Sequence, residues 1–174
     1  MELDNMNRSA AQAAESRLTY SDGSCRTVFA TQVEVPFPEG HLIVSRTDLH
    51  GIITHANDAF VTMSGWARED LIGAPHHILR HPDMPKAAFK DLWETVGAGK
   101  KWHGYVKNLR KDGAFYWVYA TAVPNIRHGQ IAGYTSVRRK PSRARIDALV
   151  PVYRQWLADE QGRPHEAIQQ GTAP

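Results

Sequence analysis

Three segments of alternating apolar pattern follow one another at residues 102–110, 115–123 and 130–138. Lys111-Asp112-Gly113, a hairpin turn signal, stands between the first two, and Asn125 to Gly129 separates the second from the third. The alternation sets Tyr116, Val118, Ala120 and Ala122 against Trp117, Tyr119, Thr121 and Val123, so the side chains divide between two faces. Connections this short demand antiparallel pairing, because a parallel crossover needs a dozen residues or more. The rest of the chain must be arranged around that sheet.

Two further strands precede it. Leu42 to Ser45 and Gly51 to His55 are β-rich, and Asp48 to Gly51 supplies the turn of a hairpin. Asn57 then opens a short helix that carries Phe60 and Met63 and ends at Ser64-Gly65. Arg68 to Gly73 reads as a single helical turn stopped by glycine. The stretch 74–85 holds three prolines and allows only short turns. Pro85, at a helix N1 position, opens a longer helix in which Phe89, Leu92, Trp93 and Val96 form one apolar stripe. Strands, helices and strands in this order give an α+β fold with short helices gathered on one side of an antiparallel sheet.

Both flanks lie outside this core. Residues 1–41 read as an N-terminal extension whose first 18 residues form a helix, with Ala10, Ala11, Ala13, Ala14 and Leu18 on one side. The core spans 42–140. Residues 141–160 form an amphipathic C-terminal helix, with Ser142 as cap, Ile146, Leu149, Val150, Tyr153 and Leu157 at helical spacing, and Pro151 as an expected kink. This helix is either an output or dimerisation element or a cover for its own sheet. Residues 161–174 read as a flexible polar tail.

Composition narrows the function classes. The 174 residues carry a net charge of +3, and no run approaches the roughly 20 apolar residues of a membrane helix. The N-terminus lacks the basic and apolar regions of a secretory signal, and the single cysteine, Cys25, excludes an internal disulfide, a cysteine-based zinc site and a CxxC redox pair. A reducing, cytoplasmic address follows as the expectation. Residues 101–147 hold 10 basic and 2 acidic side chains, a binding surface for an anionic partner or simply a solvated strand face. Without a helix-turn-helix pattern, nucleic acid is not the expected partner. His76, His77, His81 and His103 lack the paired carboxylate and spacing of a metal site, so none is expected. Neither a dinucleotide glycine motif nor a nucleophile triad is present, and the chain is not expected to be an enzyme.

The motifs carry a resemblance. Ile53-Thr54-His55-Ala56-Asn57-Asp58-Ala59-Phe60, Ser64-Gly65-Trp66, Gly73-Ala74-Pro75-His76, Arg80-His81-Pro82-Asp83-Met84-Pro85, Phe89-Lys90-Asp91-Leu92-Trp93, Trp102-His103-Gly104 and Val106-Lys107-Asn108 occur in order. The sequence resembles PAS sensor domains, and among them the flavin-binding PAS domain of bacterial aerotaxis receptors. The RHPDMP block followed by Asp-Leu-Trp is its most specific part. The resemblance implies a five-stranded sheet that cradles FAD and a flavin whose redox state is the signal. The receptors continue into a membrane anchor and a methyl-accepting region, whereas this sequence has a long N-terminal extension and ends at residue 174. Output is therefore expected through a homodimer and a separately encoded signalling protein, a chemotaxis transducer or kinase.

A flavin site needs flat apolar walls, partners for the polar ring edge and a group for the pyrophosphate. Trp93 is the candidate wall, or else core packing beside Phe89. Arg80 is the candidate anion partner, with His81 donating a hydrogen bond and Asp83 orienting either one; the alternative is an ion-pair and capping network before Pro85. His76 matches a flavin-linked position by resemblance. Asn57 is a candidate contact or a helix cap. Asn108 has an amide that both donates and accepts, as the ring edge requires. Cys25 lies outside the core helix where a photoadduct cysteine would sit, which disfavours light-driven chemistry. Two rivals remain: a cofactor-free PAS interaction and dimerisation module, and a heme-binding PAS sensor. The heme reading lacks an axial histidine on helix 86–96.

Overall fold

The computed structural model describes residues 3–8, 10–20 and 22–162. Most of the expected tail, 163–174, lies outside the described residues. Seven strands and four α-helices run in the order β1 (Ala14–Thr19), β2 (Cys25–Ala30), β3 (Ile43–Thr47), β4 (Ile53–Ala56), α1 (Asp58–Ser64), α2 (Arg68–Leu71), α3 (Lys86–Gly97), β5 (Trp102–Leu109), β6 (Phe115–Arg127), β7 (Gln130–Arg139) and α4 (Arg143–Glu160). A 3₁₀ turn, His76–Leu79, lies between α2 and α3.

The central sheet has five strands in the order β4-β3-β7-β6-β5, with every pair antiparallel. The β6–β7 hairpin closes through His128 and Gly129, both at positive φ, which matches the right-handed twist of the strands. β6 runs through Pro124, where a strand end was expected. The β5 register stops at Trp102 opposite Ala122, so β6 is an edge at Pro124 and tolerates the missing donor. Gly133 is required on β7: a Cβ there would sit 2.3 Å from the Thr47 carbonyl oxygen.

Register divides the sheet into two faces. Ile43 opposes Arg138, Ser45 opposes Ser136, and Thr47 opposes Tyr134. Arg138 and Ser136 oppose Ala120 and Ala122 on β6, and Tyr116 opposes Asn108 on β5. These residues share the inner face, where α1, the 3₁₀ turn and α3 supply Phe60, Met63, Ile78, Leu79 and Val96 to the core. The other face carries Lys107, Trp117, Tyr105 and Tyr119. α4 lies over part of it, burying Ile146 and Tyr153 and donating from the Tyr153 hydroxyl to the Tyr105 carbonyl at 2.8 Å. α4 continues through Pro151. Ser142 stands at its N-cap, but its side chain makes no capping bond. α3 begins after Pro85 with no cap of its own. The Glu160 carboxylate, at the end of α4, accepts from the Lys86 and Ala87 backbone N–H groups at 3.0 and 2.8 Å.

The N-terminal segment corrects the expectation of a helix. Ala14–Thr19 pairs with Cys25–Ala30 as an antiparallel hairpin, and the described residues before it are not helical. Alanine favours a helix only weakly in so short a segment, and the β2 ladder outweighs it. The hairpin is also integral to the fold. Val28 and Ala30 bury themselves with Met6 and Leu109, while Phe37 joins the main core. The Arg26 guanidinium donates to the Asp4 and Ile78 carbonyls at 2.7 and 3.1 Å, and Tyr20 stacks on His77 at 3.9 Å.

Candidate functional site

The middle of the inner face is made of small residues. Ser45, Ser136, Ala120, Ala122 and Gly104 occupy neighbouring positions on four strands. At Gly104 a Cβ would fall 2.2 Å from the Trp102 indole, which therefore occupies the space over that glycine. The Trp102 Nε1 donates to the Asp91 carboxylate at 2.7 Å and ties β5 to α3.

Polar groups surround this floor, and two lack partners. The Thr47 hydroxyl and Arg138 Nη1 are buried without a hydrogen bond, and both belong to the inner face. A buried polar atom left unpaired costs about 1–3 kcal/mol. Burial pushes the Tyr116 hydroxyl up to about 12, so it stays a neutral donor. Asn108, also buried, stands directly opposite it.

The buried Arg138 pairs with Ser45, also buried, and with the half-buried His76. Arg138 Nη2 donates to His76 Nε2 at 2.8 Å and to the Ser45 hydroxyl, and its guanidinium lies 4.8 Å from the Phe60 ring centroid. Burial and the neighbouring guanidinium hold His76 down to about 3, so its imidazole is neutral and accepts at Nε2. Burial lowers Arg138 only to about 10, and it keeps its charge at neutral pH.

The site residues expected from sequence fall into three groups. Asn108 and His76 are on the inner face. Trp93 is at its margin, on α3, edge-on to Tyr134 at 5.5 Å and against Gly51. It is 40% exposed, so it covers the margin and does not fill the core. Arg80 is at the β5 edge of the sheet, where it forms an antiparallel bridge with Asn108. Its guanidinium lies 5.1 Å from the Phe89 ring centroid, donates to the Met84 carbonyl at 3.2 Å and leaves Nε buried and unpaired.

His81 and Asp83 are brought to the other side. Asp83 takes the Lys107 ammonium at 2.6 Å, and Lys107, opposite Trp117, belongs to the outer face. His81 packs edge-on to Phe115, and its Nδ1 accepts from the Asp83 N–H at 3.1 Å. Burial, then the Lys107 charge, hold His81 down to about 3. Asn57 is a clamp. Its Oδ1 accepts from Phe60 and Val44 N–H groups, each at 3.0 Å, and its Nδ2 donates to the Leu42 carbonyl at 2.8 Å. These bonds commit the amide to joining β3 with α1.

Tyr116, Arg138, Ser45, Thr47 and Tyr134 were not anticipated. Their signal was parity: Tyr116 shares a face with Ala120 and Ala122, and Arg138 shares it once β7 is paired. Two surface grooves, of about 530 and 470 Å3, meet at Arg139 and Lys140 and share no residue with this floor. Cys25 stands in β2, away from it.

The family profile described as PAS fold matches residues 53–138, which hold α1, the 3₁₀ turn, α3 and four of the five sheet strands. The chain carries a PAS domain. It is 46% identical over 143 residues to the aerotaxis receptor of Escherichia coli (strain K12), covering 82% of this chain and 28% of the receptor. It is 26% identical over 113 residues to the nitrogen fixation regulatory protein of Klebsiella pneumoniae, covering 64% of this chain and 22% of that protein. The chain thus spans less than a third of either relative. Among solved structures, one from a flavin-analogue study of a light-oxygen-voltage domain superposes with a TM-score of 0.56 at 20% identity. It covers 70% of this chain and 87% of that one, and shows the shared PAS fold. Among the described residues no helix is long and apolar enough to cross a membrane.

Proposed function

We propose that this PAS domain is an FAD-binding redox sensor that signals oxygen or respiratory state to a partner protein, as a cytoplasmic homodimer with no reaction of its own. One observation carries the reading: two unpaired buried polar atoms, from Thr47 and Arg138, share the small-residue face with the Tyr116 hydroxyl and the Asn108 amide. That donor set suits the polar edge of a planar ring, and the fit requires nothing of Cys25. When bound, the flavin supplies reversible electron uptake.

The chain's own residues then divide the work. Asn108 and Tyr116 hold the polar ring edge. Trp93 and Tyr134 cover the margin, and His76 stays neutral beside Arg138. Arg80 serves the anionic portion of the cofactor, while His81 and Asp83 position the Arg80 loop through Lys107. Asn57 positions α1. With a flavin bound, Asn108 and Tyr116 would be the residues to re-pair if charge developed at the ring edge. Because Asn108 is bridged to Arg80 and adjoins Lys107, that change reaches the loop and the outer face. The downstream partner is a transducer or kinase encoded elsewhere.

A cofactor-free interaction module is the second reading, favoured by the Trp102 indole already lying on Gly104. An absorption spectrum of protein purified without added cofactor separates the two, followed by chromatography of anything released by heat. Flavin absorption with FAD released supports the sensor. Colourless protein that also refuses added FAD overturns it, and a heme spectrum replaces it.

A further inference from the structure

Arg80 stands where the 3₁₀ turn ends. Its backbone is extended, at φ −66° and ψ 120°, and its N–H donates to the His77 carbonyl at 2.9 Å. The last carbonyls of such a turn have no helical partner and need donors from elsewhere. The Ile78 carbonyl finds one in the Arg26 guanidinium, at 3.1 Å, on β2 of the N-terminal hairpin. Arg26 is only 3% exposed, and it also donates to the Asp4 carbonyl at 2.7 Å. Burying a guanidinium costs several kcal/mol. Here the charge is set against the carbonyl end of one short turn, where a cation is favoured.

A second hairpin residue grips the same turn. Tyr20 is buried, and its ring stacks on His77 with centroids 3.9 Å apart and planes 15° from parallel. Arg26 and Arg80 are the two cations that act on its hydroxyl. Further along β2, Val28 and Ala30 bury with Leu109, the residue after Asn108. Asn108 is the residue to which Arg80 is bridged. One hairpin therefore holds both sides of the Arg80–Asn108 bridge. The side chain so placed keeps its Nε buried and unpaired.

We infer that Arg26 and Tyr20 are positioning residues for Arg80: the N-terminal hairpin fixes the turn from which that guanidinium serves the anionic portion of a bound dinucleotide. This rests on the flavin reading and goes beyond it. It gives control of the diphosphate end to a segment that precedes the PAS-fold profile at 53–138.

The test uses the whole chain loaded with FAD. Arg26→Met removes both carbonyl bonds and keeps an unbranched side chain. We expect FAD release, followed by the fluorescence of the freed flavin, to quicken by roughly fivefold or more, the scale of a lost hydrogen bond. The phosphorus NMR resonances of the bound diphosphate should move, while the visible band of the ring stays in place. Tyr20→Leu, which removes the stack on His77, should give the same signature and serves as the second variant should Arg26→Met fail to fold. Release as slow as wild type overturns the inference while the flavin reading stands. So does faster release with unmoved phosphorus resonances, the result of a merely structural role. Wild-type protein that takes up no flavin overturns the flavin reading, and this inference with it.

Discussion

The two faces of the central sheet handle buried polarity in opposite ways. On the outer face the chain answers itself: Asp83 meets Lys107, and Tyr153 donates to the Tyr105 carbonyl. On the inner face Thr47 and Arg138 are left with unpaired atoms. The strands are the same, with alternate residues sent each way, so backbone geometry does not explain the difference. One surface was completed by the chain's own segments, and the other was left with bonding capacity in reserve. His81 marks the limit of this contrast. It lies on the outer side, yet its Nε2 is buried and unpaired.

The largest expected effect tests what both faces share. Each holds a histidine well below its ordinary value, His76 inside and His81 outside, both at about 3. The unfolded chain takes up these protons near pH 6.5, while the folded chain resists them. Stability is therefore full above about pH 6.5 and is lost as the pH falls from there toward about 3, by roughly 1.4 kcal/mol per pH unit for each histidine. Urea unfolding at pH 7.5 and pH 5.5 should show the loss, and His76→Asn or His81→Asn should flatten it. A pH-independent midpoint would break the assignment of neutral histidines.

Breaking the outer pairing comes next. Asp83→Ala leaves Lys107 buried and alone, at an expected cost of about 2 kcal/mol after allowing for the exposure of Asp83. Lys107→Met removes the charge with its need for a partner and should cost less. Both are read by urea unfolding, and equal losses would contradict the pairing. On the inner face the sign should reverse. Tyr116→Phe should weaken FAD retention, whereas Thr47→Val deletes an unsatisfied hydroxyl and should stabilise the cofactor-free protein by about 1 kcal/mol. Losing stability in that variant would show that the hydroxyl already has a partner. The smallest effect belongs to Tyr153→Phe, which forfeits one hydrogen bond and should cost about 1 kcal/mol or less by thermal unfolding.

Much of the sheet was legible because alternation is a local property. The β5, β6 and β7 segments lie where the period of two placed them, and the α3 stripe lies where Phe89, Leu92, Trp93 and Val96 indicated. What escaped depends on pairing. Ala14 reads as a helix former until β2 is beside it. Arg80 and His81 read as neighbours in one anion site, but an extended backbone sends adjacent side chains to opposite sides, and the bridge to Asn108 makes that segment extended. Arg138 counted only as one of the 10 basic side chains of residues 101–147. Only its register with Ile43 and Ala120 separates the buried guanidinium from its exposed neighbours. Asn57 was legible as a cap, since Oδ1 reaches the Phe60 N–H as that residue type does at a helix start.

The carboxylate of Glu160 on the first turn of α3 bears on where this module ends. The PAS-fold profile stops at residue 138, yet a helix inside it is capped by a side chain 22 residues further on. The last residue of the profile is therefore not the last residue that this helix start uses. A chain cut at the end of the profile would keep every motif and still expose two amide hydrogens at the head of the helix that bears Trp93. Glu160 thus ties the end of α4 to the start of the helix that carries Trp93.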